Sequence, residues 1–178
     1  KGFLIAGSTI GVSVPNFVFA LLLMIIFGVQ LQFFPIIGLS SPASYVLPVI
    51  AQSVYPIAVI SRLVNTTFSE ALKQDHVIMA RAKGLKEVSI IFKHVLKNSM
   101  VPVVTYLGPT IAFLLTGSFV IESLYTIPGL GMEFVNSISN RDYTVILGLS
   151  IFIGTVIIIA NMLVDVICAF IDPRIKLS

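Results

Sequence analysis

Charge is what this chain has least of. Of its 178 residues only 11% are Asp, Glu, Lys or Arg, and none of those lies between Lys1 and Arg62. Soluble domains carry roughly a quarter. With 57% hydrophobic residues and a mean hydropathy of +1.04, the composition excludes an ordinary water-soluble globule. Tryptophan is absent, and a single cysteine, Cys168, excludes an intramolecular disulfide framework. Lying among Val166, Ile167 and Ala169, that thiol reads as a small apolar filler, buried or lipid-facing. A phosphate-cradling G-x-x-x-x-G-K-[ST] loop is missing, and the short GLG at 129–131 does not replace it. His76 and His94 lack the spacing and companions of metal ligands. Ser13, Ser61 and Ser118 have no acid–base partner within sequence reach, and paired carboxylates are absent. The sequence therefore predicts no catalytic residue, no cofactor and no metal: a protein that is not an enzyme, whose energy comes from another polypeptide. The formal net charge of +3 makes no case for nucleic acid, because the basic residues flank apolar segments, where membrane orientation accounts for them.

What is present is one apolar run after another. A helix needs about 20 residues to cross ~30 Å of hydrocarbon, and four stretches qualify: 3–29, about 44–66, 101–121 and about 144–169. Pro15 lies inside the first, which a membrane helix tolerates when neighbours satisfy the freed carbonyl. No charged segment followed by a small-residue cleavage site precedes that run, so it is not read as a signal peptide. Ten of the eleven Lys and Arg residues fall on one side of this arrangement and Arg141 alone on the other. By the positive-inside rule the central polar block and the tail are cytoplasmic, and the loops around 30–42 and 122–143 face out.

The central block, residues 69–100, holds Lys73, Arg81, Lys83, Lys86, Lys93 and Lys97. From Val88, apolar residues at 88, 91, 92, 95 and 96 follow the i, i+3, i+4, i+7, i+8 spacing of one helical face. Asp75 is placed to cap a preceding helix, and Gly84 to end it in the left-handed conformation. Two short helices joined at Gly84 are predicted. A basic amphipathic helix on anionic lipid headgroups is one reading; a docking surface for a cytoplasmic partner is the other. A connector between spans needs only about 2–8 residues, and this block is far longer.

The stretches ARAKGL (80–85), KHVLKNSMVPVVT (93–105), IPGLGMEFVNSISNRDY (127–143) and DPRI (172–175) resemble, in this order, the B-type permease subunit of ABC importers of the dipeptide/oligopeptide family. The general Glu-Ala-Ala pattern of such permeases is degenerate here: counting back from Gly84, only Ala80 fits, and later only Leu96. Lys86 stands where a helix-capping Ser is frequent. The resemblance implies an all-α type I ABC importer permease fold, a single transmembrane domain over 1–178 that lacks two preceding helices, with 69–100 as its EAA-type coupling loop. It implies docking of a cytoplasmic ATPase on Ala80, Arg81, Ala82, Lys83, Gly84 and Leu85. Pro128, Gly129, Gly131, Asn140, Arg141 and Asp142 are implied as an outer gate or receptor contact. Implied partners are a C-type second permease subunit, two ABC ATPases, an extracytoplasmic substrate-binding protein and membrane lipid, in a bacterial or archaeal cytoplasmic membrane.

A different class of function stays open at this level: a secondary transporter or channel. Such carriers place ionisable or unwound elements near the membrane midplane, whereas the centres of all four predicted spans are uncharged. Asp165, the one acid in an apolar run, lies close enough to the cytoplasmic end to reach interfacial water, Arg62 or Arg174. Asn161, one turn earlier, is expected to bond to a neighbouring helix. Glu122 reads as a mouth residue or as simple solvation. Substrate identity is not written in the residues.

Overall fold

A computed structural model describes residues 12–171. Lys1, the start of the first predicted span and the DPRI tail with Arg174 and Lys176 fall outside the described residues. Apart from the loop over 31–41 and short turns, that range is helical. Helix α1 (Asn16–Leu23) continues as wider π-helical turns over Met24–Gln30. A loop and a short 3-10 turn (Pro42–Tyr45) lead into α2 (Val46–Ala71). Then come α3 (Asp75–Ala82), α4 (Glu87–Ile90), a π-helical stretch at Ile91–Val95, and α5 (Leu96–Thr116). The chain closes with α6 (Phe119–Leu124), α7 (Leu130–Asn140) and α8 (Tyr143–Ile171).

Among the described residues three helical stretches are long and apolar enough to cross a membrane: Pro42–Ala71, Glu87–Leu124 and Tyr143–Ile171. The first predicted span is represented by the shorter Asn16–Gln30. Pro15 does not sit as a tolerated kink within it. With ψ 138° it stands in extended backbone as the N-cap of α1, so the ring that removes an N–H also breaks the helix. The third predicted span, drawn to Ile121, instead stops at Thr116. Gly117 adopts φ +80°, a conformation that terminates a right-handed helix however apolar the sequence around it.

Helix α5 is the central member, packing along α8 on one side and α2 on the other, while α1 packs on α2. The seam with α8 is close because Gly108 has no side chain: a Cβ there would lie 2.8 Å from Asn161 Oδ1 and 3.2 Å from Val164 Cγ2. Asn161 thus reaches its neighbour as expected, but among the described residues it makes no hydrogen bond there. Thr105 Oγ1 lies 3.5 Å from the sulfur of buried Cys168 on the same seam. On the other side Thr67 Oγ1 donates to the Ser99 carbonyl at 2.9 Å, tying the end of α2 to the start of α5. The outward face of α8 carries Leu147, Ile151, Ile158 and Phe170, all well exposed. An apolar face of this extent is not a water-facing surface. Asp165 is exposed and, among the described residues, makes no ion pair with Arg62.

Candidate functional site

The two ends of α5 carry folded polar structure, an elbow (α3–α4) before it and a lid (α6–α7) after it. At the elbow, α3 begins one residue earlier than expected: Gln74 is the N-cap and Asp75 the first helical residue, where its carboxylate complements the helix dipole. The helix ends as the sequence predicts. Gly84 takes φ +73°, its N–H bonds the Arg81 carbonyl at 2.9 Å and the Leu85 N–H bonds that of Ala80 at 3.3 Å. These are the two bonds of a Schellman motif, which needs a left-handed residue at its turn. Lys86 is the N-cap of α4 and supplies no side-chain hydrogen bond, so α4 starts without one of its usual supports.

Beneath the turn, Ala71, Val77, Ala80, Ile90 and Val95 form a small buried core, with Phe68 and Leu72 against it. Fully burying a Val or Ile side chain contributes about 1.5–3 kcal/mol, enough to hold two short helices that are marginal alone. The face predicted from 88, 91, 92, 95 and 96 is buried only in part: Val95 is buried and Ile91 and Leu96 are half-buried, but the other two are not. Val88 and Phe92 are about two-thirds exposed, at 67% and 65%, while Ile90 and Val95 are at 0%. The cause is the π-helical stretch: wider turns advance the buried position by about five residues instead of three or four. Buried Ile90 and Val95 are set apart by that wider step, and buried Ser99 follows four residues on, where α-helical turns resume.

The predicted docking residues divide accordingly. Ala80 belongs to the elbow's own core, whereas Arg81, Ala82, Lys83, Gly84 and Leu85 are exposed. Arg81 does not extend freely outward. Its Nε and Nη2 meet both carboxylate oxygens of Glu87, at 3.2 and 2.5 Å, clasping α3 to α4 across the turn. Those hydrogen bonds, and then the charge of Glu87, raise the pKa of Arg81 above its ordinary value. Sequence reasoning missed Ile78 and Met79, which stand exposed beside Leu85. The signal was available: they occupy the face of α3 opposite Val77 and Ala80. His76 and His94 come together here, their rings 6.3 Å apart, with Asn98 bonded to His76 at 3.2 Å. Among the described residues no group of three or more His, Cys, Asp or Glu is placed to hold a metal.

The lid begins with α6 and turns through Pro128 and Gly129 into α7, the short helix expected after the proline–glycine stretch. Glu122 is not solvated. It is 7% exposed, and its Oε2 accepts the Met132 N–H at 2.6 Å. Pro128, Gly129, Leu130, Met132, Glu133 and Asn136 line an open cavity of about 350 Å³ beside that turn. The two charged residues after α7 have structural employment. Arg141, next to Asn140 at the helix end, holds the left-handed conformation at φ +58°, and Asp142 Oδ1 accepts the Val145 N–H at 3.1 Å, capping α8.

An all-α bundle of membrane-crossing length, folded at both ends of its central helix, defines a multi-pass membrane protein. The family model for the binding-protein-dependent transport system inner membrane component matches residues 3–177, and the chain belongs to that family. It is 47% identical over 170 residues to the dipeptide transport system permease protein DppB of Bacillus subtilis, covering 96% of this chain and 55% of that protein. The DppB of Lactococcus lactis is 40% identical over 176 residues, covering 99% and 57%. An oligopeptide transport system permease protein, OppB of Haemophilus influenzae, is 42% identical over 175 residues, covering 97% and 57%. The chain thus spans little more than half the length of the curated relatives it matches. The resemblance read from ARAKGL and IPGLGMEF is borne out.

Proposed function

We propose that this chain is the membrane-spanning translocation part of an ATP-driven importer for dipeptides or oligopeptides, in a bacterial or archaeal cytoplasmic membrane. The elbow, within residues 69–100, receives a cytoplasmic ABC ATPase, and closure of an ATPase pair is passed to the helices as rigid-body motion that alternates access. ATP is hydrolysed by those separate subunits. The transmembrane domain pairs with a second, C-type permease subunit, and the lid meets an extracytoplasmic substrate-binding protein.

One observation carries the reading. At the head of α5 the chain builds a braced knuckle that presents Ile78, Met79 and Leu85 beside Lys83, more apolar surface than a solvated turn keeps exposed. An apolar centre rimmed by charge suits a protein groove, and the similarity to dipeptide and oligopeptide transport permeases supplies the transport context. Gly84→Glu puts a charged side chain on the open side of the turn. The expected result is intact membrane insertion with loss of ATPase co-purification; undiminished co-purification rules the docking role out. Uptake in vesicles that needs ATP and survives collapse of the proton gradient separates the importer from a secondary carrier.

A further inference from the structure

Two glycines where the chain enters α7, Gly129 and Gly131, invite the reading of a flexible hinge on which the lid swings. The geometry points elsewhere: we propose that Glu122 fastens α6 and α7 into one rigid lever seated on α1 and α2, and that these glycines admit its carboxylate rather than supply motion. A Cβ at Gly129 would fall 2.6 Å from both carboxylate oxygens. At Gly131 it would fall 2.6 Å from the Phe119 nitrogen and 3.2 Å from Glu122 Oε2. At Gly117 it would collide with Oε1. Gly117 at the end of α5 and Gly129 and Gly131 at the start of α7 therefore wall one buried carboxylate. An ionised carboxylate is costly to bury unless it is bonded. Here the Met132 N–H in the first turn of α7 provides the bond, and the positive end of that helix adds to it. Swinging α7 alone would break this bond and open the cage.

The other end of the lever is anchored as firmly. Tyr125, 1% exposed, donates its hydroxyl to the Ala20 carbonyl at 3.0 Å, and its own carbonyl accepts the Gly38 N–H at 2.9 Å. Its ring packs with Ile121 among Ala20, Leu47 and Ala51 of α1 and α2. Between the two anchors Thr126 sits at φ +53°, a conformation that a β-branched residue keeps only where its surroundings over-determine it. Glu122 is thus a positioning residue: a partner pressing on α7 moves α1 and α2. That the partner is a binding protein rests on the reading above; the rigidity does not.

The test uses the full-length permease in lipid nanodiscs, alone and assembled with its second permease subunit and ATPases. Nitroxide labels replace exposed Ser139 on α7 and Gln30 at the end of α1, other cysteines being removed, and their separation is read by double electron–electron resonance. The native chain should give the same single narrow distance at rest and when trapped with nucleotide. Glu122→Gln, which keeps an acceptor, should preserve it; Glu122→Ala and Gly131→Ala should lose it to a broad distribution. A native distance that differs between the two states, or an Ala variant as narrow as native, overturns the lever. The native comparison decides even if a variant does not fold. ATPases that fail to assemble with the native chain count against the importer reading, while the distance in the permease alone still reports on the lid.

Discussion

Replacing Gly84 by alanine separates backbone from surface at the elbow. At φ +73° a Cβ costs roughly 1–2 kcal/mol. Nothing lies within 4 Å of where that carbon would sit, so no clash adds to the cost. Alanine also restricts the unfolded chain, offsetting about 0.4–1 kcal/mol. The net loss is about 1 kcal/mol, a roughly fivefold shift in the closing equilibrium of the turn. Because the elbow core lies beneath Ala80 rather than at the turn, the loss should appear locally. Hydrogen exchange of the Gly84 and Leu85 amides, which bond the carbonyls of Arg81 and Ala80, should quicken about fivefold. The buried Val77 and Ile90 should barely respond. Unchanged exchange at Gly84 and Leu85 refutes the reasoning, because the left-handed turn would then not be limiting. The same pair of variants sharpens the docking test. Gly84→Ala and Gly84→Glu share the backbone cost, so ATPase retention by Ala and loss by Glu assigns docking to the exposed surface.

Four further outcomes follow from the same geometry. Lys86→Ser gives α4 the cap it lacks and should strengthen the elbow by about 1 kcal/mol, seen as slower exchange at Ile90. Arg141→Gly relieves a left-handed residue and, after the entropy of glycine in the unfolded chain, should gain roughly 0.5–1 kcal/mol as a higher unfolding temperature in detergent. Gly108→Ala drives a methyl into Asn161 and Val164 and should cost about 1–3 kcal/mol by the same measurement. Gly148→Ala, with open space around it, should gain up to about 1 kcal/mol.

Helix existence and the elbow turn were legible because composition and one glycine decide them. Gly84 had to end a helix between two amphipathic stretches, and it does. What escaped the sequence depends on backbone geometry or on partners far along the chain. Hydropathy runs smoothly through Gly117, yet the sign of one φ angle divides α5 from α6. The face predicted at 88–96 assumed 3.6 residues per turn, and the π-helical stretch at Ile91–Val95 exposes Val88 and Phe92 instead. Glu122 looked solvated because its donor, the Met132 amide, belongs to a backbone ten residues on. Arg81 looked like an outward cation because its partner Glu87 lies on the next helix, brought near only by the turn.

The elbow and the lid share one element. The last turns of α2 give Phe68 and Ala71 to the elbow core, and its first turns give Leu47 and Ala51 to the core beneath the lid. At 26 residues, α2 is a strut of about 39 Å between the two ends. Its weakest bracing is at one place. Pro56 removes the N–H that would bond the Gln52 carbonyl, and the side-chain amide of Gln52 is buried with neither its nitrogen nor its oxygen bonded among the described residues. Each such group costs about 1–3 kcal/mol relative to an apolar one of the same shape. Gln52→Met should therefore stabilise the chain by that order, measured as a higher unfolding temperature. If Gln52 is retained because α2 flexes there when the ends move, the stabilised variant should also transport more slowly with ATPase assembly intact. A lower unfolding temperature in Gln52→Met means that the amide has a partner in the folded protein, and the strut is then braced where it was argued to be weak.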